Sequence, residues 1–116
     1  MKLIMTLLLL MIAIVLSQPV VAGESSGWGE ITELNINKHG RVRIKFSKPI
    51  VNPDNCERTE FYIVESDDSV GAKQFFSAIL AAHTAGKQVS FWISGCTPGK
   101  HWGFTRPMAY DIYMKP

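Results

Sequence analysis

The side chains able to do acid–base or nucleophilic chemistry are few in this chain and scattered. Its three histidines stand apart: His39 in the turn-like stretch Asn37-Lys38-His39-Gly40, His83 near the end of a helical pattern, His101 in a glycine-flanked loop. No spacing joins them to a nucleophile or to one another. Ser94-Gly95-Cys96 lacks the Gly-x-Ser-x-Gly pattern of a nucleophile elbow. Asp67-Asp68 has the composition of a paired-carboxylate site but stands just ahead of a helical run, where capping is the expected work. His83 suits the negative end of that helix. Cys56, Cys96 and His101 could form a metal set, yet no C-x-x-C or H-x-x-x-H spacing accompanies them. These residues read as those of a non-enzymatic protein without metal or cofactor.

Binding chemistry is better represented. In the loop 97–106, Lys100, His101, Trp102 and Arg106 place an indole among hydrogen-bonding groups. A sugar can lay its C–H face on such a ring while polar neighbours reach its hydroxyls. The alternative is that Trp102 folds back as a packing residue, beside Cys96 or over the end of the fold. Trp28 reads as a strand residue that seals the core, and Trp92 as an oligomer contact or a second exposed platform. Arg41, Arg43 and Lys45 make a basic row on one strand face. That row is either a solvated surface or a contact for acidic partners, sialylated glycans or a neighbouring subunit, whose affinity would fall with salt.

Compartment follows from the first 22 residues. Lys2, an apolar run from Leu3 to Leu16, and a tail with small residues at Val20 and Ala22 have the tripartite shape of a secretory signal. The run of 14 residues is short of the ~20 that a spanning helix needs. Cleavage is expected before Gly23, so that 116 less 22 leaves 94 residues, one domain. Export favours a Cys56–Cys96 disulfide, which would stabilise so small a domain by about 4 kcal/mol in the chain-entropy model. Loss of Lys2 from 12 basic residues leaves 11 against 10 acidic ones. That balance does not suit a nucleic-acid binder, and nothing after the signal is long and apolar enough to insert in a membrane. A secreted or periplasmic, soluble product is expected.

Patterning supplies the elements that must position the loop. Trp28 to Ile36 reads as a strand whose alternation slips at Ile31, so a bulge is expected near Thr32 or Glu33. Arg41 to Ser47 alternates cleanly, with Val42, Ile44 and Phe46 inward. Phe61 to Glu65 is a third strand. Ser66-Asp67-Asp68-Ser69 offers caps for a helix from Val70 to Ala85 that ends at Gly86, with Ala72, Phe75, Phe76, Ile79 and Leu80 as its apolar stripe. Gln88 to Ser94 buries Val89, Phe91 and Ile93. Met108 to Met114 sets Met108, Tyr110, Ile112 and Met114 against Ala109, Asp111 and Tyr113. The order β-β-β-α-β-β predicts a mainly β fold, a five-stranded Greek-key barrel of the oligonucleotide/oligosaccharide-binding (OB) kind. A helix laid across one open sheet is the structural alternative.

Trp28-Gly29-Glu30-Ile31, a cysteine after the second strand, the helical run Phe75 to Ala82 and Ala85-Gly86-Lys87-Gln88-Val89 together cover most of the mature chain. In this pattern the sequence resembles the secreted B subunits of the AB5 toxins, most nearly the subtilase-cytotoxin type. The resemblance implies an OB barrel, a ring of five with the helix lining its central channel, a separate A subunit, and recognition of cell-surface glycans. The alternative function is a monomeric periplasmic interaction or inhibitor protein.

Overall fold

A computed structural model describes residues 2–6, 23–65 and 67–116. Apart from a helical turn over 2–6, the expected signal and its cleavage point lie outside the described residues, as does Ser66. The fold is mainly β. Its strands are β1 (Glu24–Ser25), β2 (Ile31–Ile36), β3 (Val42–Phe46), β4 (Tyr62–Val64), β5 (Val89–Cys96) and β6 (Pro107–Met114), with one helix, α1 (Val70–Ala85), between β4 and β5. They form one mixed sheet in the order β1-β5-β6-β4-β3-β2, in which only β4 and β6 run parallel.

Six strands replace the expected five because Glu24–Ser25, a segment that patterning did not read as a strand, forms β1 ahead of the expected strand Trp28–Ile36, of which Ile31–Ile36 forms β2. The two take different partners: β1 pairs with β5 and β2 with β3. The sheet is not closed into a barrel. Between its ends runs an isolated bridge, in which Gly29 N–H donates to Val89 O at 2.9 Å and Val89 N–H to Gly29 O at 2.8 Å. A side chain at Gly29 would not fit there, since a Cβ would lie 2.8 Å from both Phe46 Cζ and Ser47 Oγ.

Local signals account for most element bounds. The expected bulge appears as a register shift between Ile31 and Glu33. Ser69 caps α1 by accepting from Ala72 N–H at 3.1 Å, Asp67 Oδ1 accepts from Ser69 N–H at 2.7 Å, and Gly86 closes the helix in the left-handed region at φ 64°. Such an N-cap is worth about 1 kcal/mol. The helix packs on β2 and β6, with Ile79 and Ala82 buried and Phe75 and Phe76 partly so, while Leu80 of the expected stripe is 45% exposed. His83 does not turn to the terminal carbonyls: its Nδ1 lies 3.1 Å from Ile31 O, which ties α1 to β2.

The core combines Val42, Ile44, Tyr62, Ile79, Val89, Phe91 and Ile93. Burying each large side chain contributes about 1.5–3 kcal/mol. Phe46, Tyr62 and Phe91 form an aromatic triangle with centroids 5.6–6.2 Å apart. Strict alternation fails in β6. A register shift beside Ile93 lets both Ala109 and Ile112 face the core and turns Tyr110 outward, 58% exposed. Trp28 does not seal the core; it is 39% exposed with Lys115 Nζ 4.6 Å above its ring. Trp92 is half-buried and lies against Gly23, where a Cβ would come within 2.6 Å of its Nε1. Among the described residues no helix is long and apolar enough to cross a membrane.

Candidate functional site

Two loops, 47–61 and 97–106, are stitched together beside the outer face of β3 and β4. The Cys56–Cys96 disulfide ties the first loop to the last residue of β5, where the second loop begins, across 40 residues of sequence, with the Cα atoms 5.6 Å apart. Around it, Asn52 clips its own loop by accepting from Cys56 N–H at 2.8 Å and donating to Cys56 O at 3.0 Å. Gly95 N–H donates to Asp54 Oδ2 at 2.7 Å. Arg58 N–H donates to Thr105 O at 3.1 Å, and Thr105 N–H donates to Glu57 Oε1 at 3.2 Å. That last bond, led by the backbone donor, holds the Glu57 carboxyl below its ordinary value.

The four residues singled out for binding occupy one turn but play different parts. An antiparallel bridge joins His101 to Phe104, and the two residues between them have positive φ, Trp102 at 54° and Gly103 at 89°. This left-handed pair costs a tryptophan more than an asparagine or glycine, so the surroundings must hold it. Arg106 does so. Its side chain is 5% exposed and its Nη1 donates to the carbonyls of His101, Trp102 (3.2 Å) and Phe104 (3.3 Å). Nε and Nη2 donate to Glu60 Oε2 at 3.3 and 3.0 Å, and the guanidinium lies 4.3 Å from the Phe61 ring centroid. His101 is buried, with Nε2 2.8 Å from Glu65 Oε1. Lys100 is exposed and Trp102 half-buried.

Trp102 therefore rests on a prepared floor. It meets Phe61 edge to face at 5.8 Å and 81°, and Arg43 of β3 sits 5.0 Å from the centroid of each ring. Arg58 adds a contact over Phe104 at 4.2 Å. Arg43 had been legible only as one member of a basic row. Its row-mate Lys45 is neutralised by Glu33 at 3.3 Å, whereas Arg43 is half-buried against the two rings. Nothing local in the sequence brings Arg43 and Phe61 to Trp102; the β3–β4 register does.

Comparison with family models, with curated proteins and with solved structures finds no match to this chain. Its chemistry must be read from the arrangement itself. Among the described residues no cluster of three or more His, Cys, Asp or Glu side chains could hold a metal ion. Of the other candidate acids and bases, Asp67 Oδ1 accepts the N–H of the cap residue Ser69 and His83 tethers α1 to β2, while in the β2–β3 turn Asn37 Oδ1 accepts the backbone N–H groups of His39 and Arg41. Two grooves of about 560 and 580 Å³ flank α1, one toward His39 and Lys73, the other toward Tyr110 and Asp111. Neither is lined by the 97–106 loop.

Proposed function

We propose that this chain is an exported binding domain without catalytic activity, an OB-like scaffold that recognises a glycan or another cell-surface ligand in the manner of an AB5-type B subunit. The strand order, the parallel β4–β6 pair, the helix between β4 and β5 and the Gly29–Val89 bridge support the OB reading. The disulfide supports an oxidising destination, periplasmic or secreted. The observation that carries the function is Trp102, held in a left-handed turn, stapled from beneath and still half open. In this reading Trp102 and Lys100 meet the ligand, while His101 and Arg106 spend their hydrogen bonds positioning them.

A second reading, a monomeric protein-interaction or inhibitor module, draws on the exposed Tyr110, Tyr113 and Met114 of β6. Light scattering of the oxidised protein after size exclusion separates the two. Five times the chain mass supports a ring that would serve a separate A subunit, and a glycan array then identifies the receptor. A monomer that retains no saccharide overturns the first reading and directs attention to the β6 surface.

A further inference from the structure

β4 stops short of the strand it runs beside. Its parallel pairing with β6 is confined to Ile63 and Met108, and after Val64 the chain turns away to α1. β6 continues past that contact to Met114, with β5 on one side. Main-chain groups of a strand point alternately to its two sides, so among the described residues the N–H and C=O groups of 109–114 that face away from β5 meet no strand.

The vacated ground is a groove of about 580 Å³ between β6 and the first turns of α1. Val64, Phe75, Met108 and Ala109 give it an apolar floor. Every charged residue along it is an acid: Glu65, Asp67 or Asp111. Glu65 is engaged with His101, but among the described residues neither Asp67 nor Asp111 has an ion pair. Lys73 of α1 lines the groove on the other side of the helix. Tyr110 stands at the edge, 58% exposed. An open strand edge, an apolar trough and acids without counter-ions therefore coincide. Such an edge takes up an extended segment by main-chain hydrogen bonds, and alternate side chains of that segment read the surface beneath. Here the trough selects an apolar side chain, while the carboxylates beside it attract a cation and repel an anion.

Resting on the reading of β6 as an interaction surface, we infer that this groove takes an extended basic segment of a protein partner, in which Lys or Arg alternates with apolar residues. The segment adds to the open edge of β6, sets an apolar side chain between Phe75 and Met108, and brings its cations to Asp67 and Asp111. The test follows the backbone amides of 109–114 in the oxidised protein by NMR, titrated with the peptide acetyl-KVKVK-amide. Two controls share its length: acetyl-EVEVE-amide reverses the charge, and acetyl-KSKSK-amide keeps the charge without the apolar side chains. The expected result is saturable movement of the β6 amides by KVKVK, with each control binding at least tenfold more weakly. Asp111→Asn, at an exposed position, weakens KVKVK by about threefold, the scale of one exposed ion pair, and added salt weakens the native complex in the same direction. Gly71 lines the groove and a Cβ there meets nothing within 4 Å, so Gly71→Phe fills the trough and abolishes binding without loss of thermal stability. Full retention by Gly71→Phe overturns the placement. Equal binding of EVEVE or KSKSK overturns the basic, apolar chemistry and leaves β6 as an interaction surface. Displacement of KVKVK by n-butylammonium at equal concentration overturns the protein-segment part in favour of a free amine. A mass that rises with protein concentration, with β6 amides that shift in step and ignore KVKVK, assigns the groove to a second copy and overturns the inference. If no peptide moves 109–114 in a monomeric protein, both this inference and the β6 reading beneath it fall.

Discussion

Arg106→Met tests the claim that one buried guanidinium builds the Trp102 turn. The substitution keeps side-chain length and some contact with Phe61 but removes every donor to the carbonyls of His101, Trp102 and Phe104 and to Glu60. A hydrogen bond to a charged group contributes about 1.5–3 kcal/mol, and breaking one side of a buried pair costs about 3–5 kcal/mol. Glu60 is 50% exposed, so it rehydrates and regains part of that loss, while the carbonyls must reorganise. About 3 kcal/mol is expected, which for a domain of this size lowers Tm by about 12–24 °C. Glu60→Gln is the matched control. It touches only the exposed end of the pair and should cost about 0–1 kcal/mol. Calorimetry and urea unfolding of the oxidised proteins measure both, with Trp fluorescence reporting the turn. A loss below about 1 kcal/mol in Arg106→Met, or one equal to that of Glu60→Gln, would refute the argument that Arg106 holds the loop carbonyls.

Other expectations follow from the same contacts. Reducing Cys56–Cys96, or replacing both with alanine, reopens a loop closed across 40 residues and should lower unfolding free energy by about 4 kcal/mol, read by urea titration with and without reductant. Gly29→Ala drives a methyl group onto Phe46 and Ser47 and should cost about 1–3 kcal/mol, with faster hydrogen exchange at Val89 N–H as its local signature. Burial pushes the Tyr62 hydroxyl pKa up against the opposing hydrogen bond from Val51 N–H. Its raised value means that its contribution is complete below about pH 10 and is lost as pH rises through the folded value; Tyr62→Phe should flatten that alkaline limb. Glu57 and Asp67 have lowered values, held by Thr105 and Ser69 respectively. Their contributions are present above the ordinary carboxylate range and lost as acid protonates the folded groups, so Glu57→Gln should shallow the acid limb of the stability profile.

The parts of this protein legible from the chain alone are those whose causes lie within a few residues. Ser69, Asp67 and Gly86 bound α1 because caps act across one turn, and the slipped alternation at Ile31 announced the bulge because side-chain direction alternates residue by residue. The β5 core face was equally plain, and two cysteines allowed one pairing. What tertiary structure decided was whatever depends on which strands become neighbours. The pairing of Glu24–Ser25 with β5 made six strands where patterning predicted five, and the β5–β6 register shift turned Tyr110 out of the face its alternation assigned it. The candidate site shows the same division. Its loop could be found from Trp102 and its polar neighbours, but not that Arg106 would spend its donors inside the turn or that Arg43 would lie against both Phe61 and Trp102. Those contacts join residues far apart in the chain, and only sheet register and the disulfide bring them within reach.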